Sequence, residues 1–142
     1  MILSDEERKA IVEYRIEKAF TILNDAEKIA AIKLWSSAAN RLYYSLYYAA
    51  TALLISDGHV SHTHSGMITL FGQNYVSKGP LSKEDGKLMK RIFDLRQEAD
   101  YDDFIDADEG DVTMYLPMVK ELVQKMAKNM PPAKFPLSFY KN

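Results

Sequence analysis

Apolar residues recur along this chain at the three-and-four spacing of an α-helix, and no segment alternates strongly enough to predict a strand. Ser4 followed by Glu7 has the form of a capping box, and Ile11, Tyr14, Ile16, Ala19, Ile22 and Leu23 then fall largely on one side of a helix running to about residue 31. No Gly or Pro separates this helix from the next. Instead "KLWSSAAN" offers Ser36 or Ser37 as a cap, so the turn must be tight and the first two helices should pair antiparallel. The second helix carries "LYYSLYYAATALLI" and stops at Asp57-Gly58, where glycine suits the left-handed position past a C-terminus.

Thr63 caps a shorter third helix through "MITLFGQNYV", which ends near Lys78-Gly79-Pro80. Ser82 with Asp85 opens a fourth, whose inward stripe is Leu88, Ile92, Leu95 and Ala99. An acidic linker, "DYDDFIDADEGD", leads to a fifth helix at roughly 109 to 128, in which Pro117 should kink the helix or delay its start. The expectation is an all-α, antiparallel up-and-down bundle of about five helices over residues 1–130. A proline-rich tail without a period follows at 131–142.

Composition narrows what such a bundle can do. With 142 residues the chain is long enough for one core and short for two. A net charge of −2 makes affinity for nucleic acid through overall charge unexpected, so any phosphate contact must be local. The absence of cysteine excludes disulfides, thiol catalysis and Cys-based zinc sites, and fits a reducing, cytoplasmic setting. "MILSDEERKA" turns charged too early for a signal peptide, and the longest apolar run is about half the ~20 residues of a membrane span, so no membrane partner is expected.

Three stretches hold candidate chemistry. On the second helix, Leu42, Leu46, Ala49, Ala50 and Leu53 form one face, while Ser37, Arg41, Tyr44, Ser45 and Tyr48 share another with polar tips. The tyrosines fill core or a subunit interface unless Arg41 points into a cleft. His59, His62 and His64 cluster in one loop, but without a carboxylate or cysteine partner they do not predict a metal site; His64 reads better as part of the start of the third helix. Lastly, nine acidic residues lie between Asp94 and Asp111 with Arg96 as the one basic residue, so the segment is mostly a solvated linker that repels an RNA backbone. Arg96 and Asp100 stand at i,i+4, and Tyr101 can cooperate with Arg96 only if the helix ends near residue 100.

"AANRLYYSLYYAATALLISDG", "THSGMITLFGQNYVSKG" and "LMKRIFDLRQEADYDDF", in that order, resemble the HEPN domain family over residues 4–128. The resemblance implies a helical bundle that pairs as a homodimer, in a family of RNA-cleaving toxins, partners of minimal nucleotidyltransferases and nucleotide-binding modules. Its ribonucleases place an arginine four to six residues before a histidine at the end of the fourth helix. Here the arginine falls on Arg96 and the histidine's position on Tyr101, a subgroup pattern in which Arg41, His64, Arg96 and Tyr101 line one polar groove.

Metal-independent RNA cleavage needs a proton acceptor with a pKa near the working pH. Tyrosine, at about 10, is a poor one. The expectation is therefore a dimeric module that binds a nucleotide or phosphate-bearing ligand through Arg41, Tyr44, Tyr48, His64, Arg96, Asp100 and Tyr101, with no cofactor and no metal. It would act beside a nucleotidyltransferase in a toxin-antitoxin-like pair. The alternatives are an RNA-cleaving toxin with an altered site, using Arg96 and Tyr101, and a purely structural interaction domain.

Overall fold

The computed structural model describes residues 3–98 and 106–130, and among these every regular element is helical. Helix α1 spans Asp5–Ala31, α2 Trp35–Ser56, α3 His64–Phe71, α4 Lys83–Glu98 and α5 Glu109–Lys128; a single π-helical stretch, Gly72–Val76, continues α3. Ala99 of the expected α4 stripe, Asp100, Tyr101 and the tail 131–142 lie outside the described residues.

Local signals set most boundaries. Ser4 and Glu7 form the reciprocal capping box expected of them, and Asp108 with Asp111 forms a second one that starts α5. Thr63 accepts the Gly66 N–H at 3.0 Å to open α3, and Ser82 exchanges two backbone-to-side-chain bonds with Asp85 to open α4. Gly58 takes the left-handed conformation after α2, at φ 81°.

One expected cap is overturned, and of the two alternatives at Pro117 the delayed start does not hold. Neither Ser36 nor Ser37 caps α2: Leu34 occupies the cap without a side-chain bond, and the turn is closed by Lys33 in the left-handed region at φ 63°. Ser36 instead lies inside α2 and reaches across to Ala107, accepting its N–H at 3.3 Å and donating to its carbonyl at 3.4 Å. Nor does Pro117 delay α5, which starts at Glu109 and runs through the proline. The Asp108–Asp111 box fixes the start a full two turns earlier, and the only donor that Pro117 removes belongs to a bond back to Thr113.

Helices α1 and α2 pack antiparallel along most of their length and make the largest interface of the bundle. Val12, Ile16, Ala19, Phe20, Leu23 and Ala26 face Leu42, Leu46, Ala49, Ala50 and Leu53, and all are buried. Tyr14 departs from the expected stripe, with 59% of its surface exposed; Val12 and Phe20 take the inward positions instead. The expected polar face of α2 is also split, because Ser45 is fully buried and donates to the Ala19 carbonyl at 2.8 Å. A small hydroxyl that satisfies itself on a neighbouring helix can sit in a core at little cost.

The remaining helices close the bundle around α2. Tyr43 of α2 meets Phe93 of α4, and Ala39 lines the same small cavity as Leu95, so α4 runs antiparallel to α2. Lys125 bonds Asp85 at 3.0 Å and Arg91 donates to the Tyr115 hydroxyl at 3.3 Å, which sets α5 antiparallel to α4. The π stretch is anchored by Tyr75, whose hydroxyl donates to Asp57 at 2.7 Å with the Leu53 carbonyl 3.1 Å away. Gly86 lets α4 approach this stretch, since a Cβ there would stand 3.1 Å from Val76. The result brings the C-terminal end of α4, with Arg96, against the N-terminal half of α2.

Candidate functional site

Asn40, Tyr43, Tyr44 and Tyr47 stand at i, i+3, i+4 and i+7 on α2, the spacing of a single helix face. Tyr43 is the buried centre of this face. Its ring meets Tyr44 edge-on at 4.9 Å, stacks with Tyr47 at 6.2 Å and packs at a tilt against Phe93 at 5.2 Å. Offset and edge-on contacts of this kind contribute about 0.5–1.5 kcal/mol each beyond area burial. The aromatic cluster is thus a rigid floor, and Tyr44 and Tyr47 are its partly exposed members.

Arg96 stands in the last turn of α4, half-buried and close enough to Tyr43 for its charge to act on the phenol. Burial pushes the Tyr43 hydroxyl up to about 12, neighbouring Tyr44 and Tyr47 add to the rise, and Arg96 pulls the other way. Tyr43 is therefore a neutral hydrogen-bonding group at physiological pH and no base. Among the described residues, Arg96 forms no ion pair with a carboxylate. Its five donors are pre-organised for a phosphate or carboxylate oxygen pair.

Arg41 is exposed, one position from the Asn40–Tyr44 face. Tyr48 borders the cluster, its ring edge-on to Tyr47 at 5.7 Å, and it also meets α1: Arg15 lies over its ring at 5.7 Å and donates to Thr51 at 3.2 Å, while Thr51 donates to the Tyr48 carbonyl. The polar face proposed for α2 thus divides, with Tyr44 beside Tyr43 and Tyr48 turned toward α1. His64 is the first residue of α3, and the described residues contain no group of side chains able to hold a metal ion. Asp100 and Tyr101 lie outside the described residues.

Sequence reasoning missed Asn40, Tyr43, Tyr47 and Phe93. The signal was present in the i, i+3, i+4, i+7 register of "NRLYYSLY", but four tyrosines in six positions decorate two faces at once, and periodicity alone does not say which one meets α4. A cavity of about 10 Å³ beneath Ala39, Leu95 and Tyr115 has room for about one water, and the larger hollow of about 290 Å³ runs along Phe20–Lys28 of α1, away from Arg96.

The fold is an antiparallel helical bundle with Arg96 in the last turn of α4, beside the tyrosine-rich α2. The HEPN domain model matches residues 12–130, and the chain belongs to that family. It is 35% identical to a Thermotoga maritima "UPF0332 protein" over 106 residues, covering 75% of this chain and 80% of that protein. An Archaeoglobus fulgidus protein of the same name is 35% identical over 118 residues, covering 83% and 93%. A Methanocaldococcus jannaschii protein named "Putative toxin" is 31% identical over 96 residues, covering 68% of this chain and 69% of its own length. No helix of the described residues is long and apolar enough to cross a membrane.

Proposed function

We propose that the protein is a homodimeric binding module whose α2–α4 face holds a nucleotide or another phosphate-bearing ligand, and that it works as one half of a toxin-antitoxin-like pair with a minimal nucleotidyltransferase. The observation that carries the reading is the placement of Arg96: half-buried, without a carboxylate partner among the described residues, and beside an aromatic floor. Guanidinium for phosphate and tyrosine rings for a base are the two elements of sequence-tolerant nucleotide recognition. Relatives named "Putative toxin" support the pairing with a second component.

RNA cleavage by the same face is the second reading, favoured by those same names. It is disfavoured by chemistry. Tyr43, on whose phenol Arg96 acts, is pushed away from neutrality and is no acceptor for a 2′-hydroxyl proton near pH 7, and Tyr101, the other candidate, lies outside the described residues. Incubating the purified protein and Arg96→Ala with RNA separates the readings: a binding module gives no Arg96-dependent cleavage, and a thermal-shift panel gives nucleotide stabilisation that Arg96→Ala removes. A solution mass of one 16.2 kDa chain at micromolar concentration would contradict the homodimer.

A further inference from the structure

Asn40 is the anomaly of this face. It is 9% exposed, and its Oδ1 is sealed from solvent without a hydrogen-bond partner. Buried acceptors are nearly always satisfied, and leaving one unmade is costly. An apolar residue of the same shape, such as leucine, would remove that cost, and the neighbouring Leu42 and Leu46 are of this kind. The amide is therefore retained against stability, which is the signature of a group kept for a partner that is not always present.

Position says what that partner can be. Helical side chains lean toward the N-terminus and cover the turn before their own, so Tyr43 and Tyr44 lie over the Asn40 turn. Arg96 acts on Tyr43 from the adjoining end of α4. A molecule with its phosphate on Arg96 and its ring against Tyr44 would bring its far edge to Asn40. Tyr44 is only partly buried, so a change in its rotamer is the movement that admits that edge. An amide oxygen accepts and does not donate, so the edge must present an N–H.

We propose that Asn40 determines the specificity of this site, and that its ligand is a nucleotide whose base carries an exocyclic amine donated to Asn40 Oδ1. The inference rests on reading the Arg96 face as a nucleotide site and goes further by naming the base. A site with a buried acceptor rejects a base lacking the donor more strongly than any apolar pocket could, because the acceptor would stay unpaired.

The test is calorimetric titration and thermal melting of the full chain with AMP set against purine riboside 5′-monophosphate and CMP against pyrimidin-2-one riboside 5′-monophosphate, the matched analogues without the amine or any other N–H on that edge. The expected result is that at least one amine-bearing nucleotide binds about tenfold or more tightly than its amine-free counterpart. Asn40→Leu abolishes that preference and leaves weak, Arg96-dependent binding, yet melts at a higher temperature than the unliganded parent. Asn40→Asp, which retains an acceptor, keeps the preference and serves as the decisive variant if the leucine form does not fold.

A preference that survives Asn40→Leu, or that is lost in Asn40→Asp, overturns the assignment. So does an Asn40→Leu protein that melts lower with unchanged affinities, the behaviour of a structural asparagine. Arg96-dependent binding without regard to the amine overturns this inference alone and leaves the proposed function standing. Binding of no nucleotide at all overturns both.

Discussion

The Ser45 hydroxyl donates to the Ala19 backbone carbonyl across the α1–α2 interface, 2.8 Å away and fully buried. The bond fits one rotational setting of α2, the setting that the packed apolar faces of α1 and α2 hold. With Ser45 turned into α1, Tyr43 faces α4, and Tyr48 meets Arg15. Replacing Ser45 by alanine removes a buried donor and leaves a carbonyl already serving its own helix, for an expected loss of about 1 kcal/mol in urea unfolding. Leucine at the same position overpacks the interface and should cost about 1–3 kcal/mol. Equal stability of the alanine variant and the parent would show that the bond does not hold the helices together.

Asp85 gives the fold an acid limit. Burial pushes its carboxyl up, but the Ser82 backbone N–H, the Lys125 ammonium and the Ser82 hydroxyl together outweigh that and hold it below its usual range. A carboxyl depressed in the folded state contributes stability above its unfolded pKa of about 3.9 and loses it as pH falls through the folded value. Denaturant midpoints should therefore decline below about pH 4. Lys125→Met, which removes the Lys125–Asp85 bond, should lower stability by about 1 kcal/mol at pH 7 and flatten the acid decline. An unchanged slope in that variant would assign the acid limit to other carboxyls.

Gly66 is needed for the start of α3. A Cβ at this position would stand 2.5 Å from Thr63 Oγ1 and 2.6 Å from Ser61 Oγ, the two hydroxyls that organise the cap. Gly66→Ala should displace the Thr63 hydroxyl from the Gly66 N–H and cost about 1–2 kcal/mol, the price of a lost N-cap. Thr63→Ala should cost a similar amount, and the two losses should not add, because each removes the same bond. Additive losses in the double variant would mean that Gly66 serves some other contact.

At the alkaline end, Tyr43 titrates at about 12, well above a free phenol, because it is buried among other rings. A phenol whose pKa is raised on folding favours the folded state fully below its unfolded value of about 10 and loses that contribution as pH climbs toward 12. Tyr75 is raised in the same direction, by burial first and then by its bond to Asp57. Stability followed by circular dichroism should fall from about pH 10 upward, and Tyr43→Phe should fall less steeply. If the phenylalanine variant tracks the parent throughout, Tyr43 is not held neutral by the fold.

Helix existence, order and most boundaries are legible in the amino-acid sequence because they depend on contacts within a few residues. Ser4 with Glu7, Thr63, Ser82 with Asp85 and Gly58 each satisfy backbone groups of their own turn. The apolar face of α2 is legible for the same reason, since Leu42, Leu46, Ala49, Ala50 and Leu53 repeat at the helical period. Local chemistry of this kind needs no knowledge of distant residues.

Tertiary structure decided everything that depends on which helix meets which. Ser36 could serve as a cap or as a cross-link, and only the arrival of Ala107 beside it selects the second. Tyr43 and Tyr48 are equivalent as letters in a tyrosine-rich helix; α4 buries one, and Arg15 of α1 engages the other. Arg96 is legible as a singular cation in an acidic stretch. Its aromatic floor and the unpaired Asn40 oxygen are not, because both depend on segments far apart in the sequence whose relative rotation is fixed by packing.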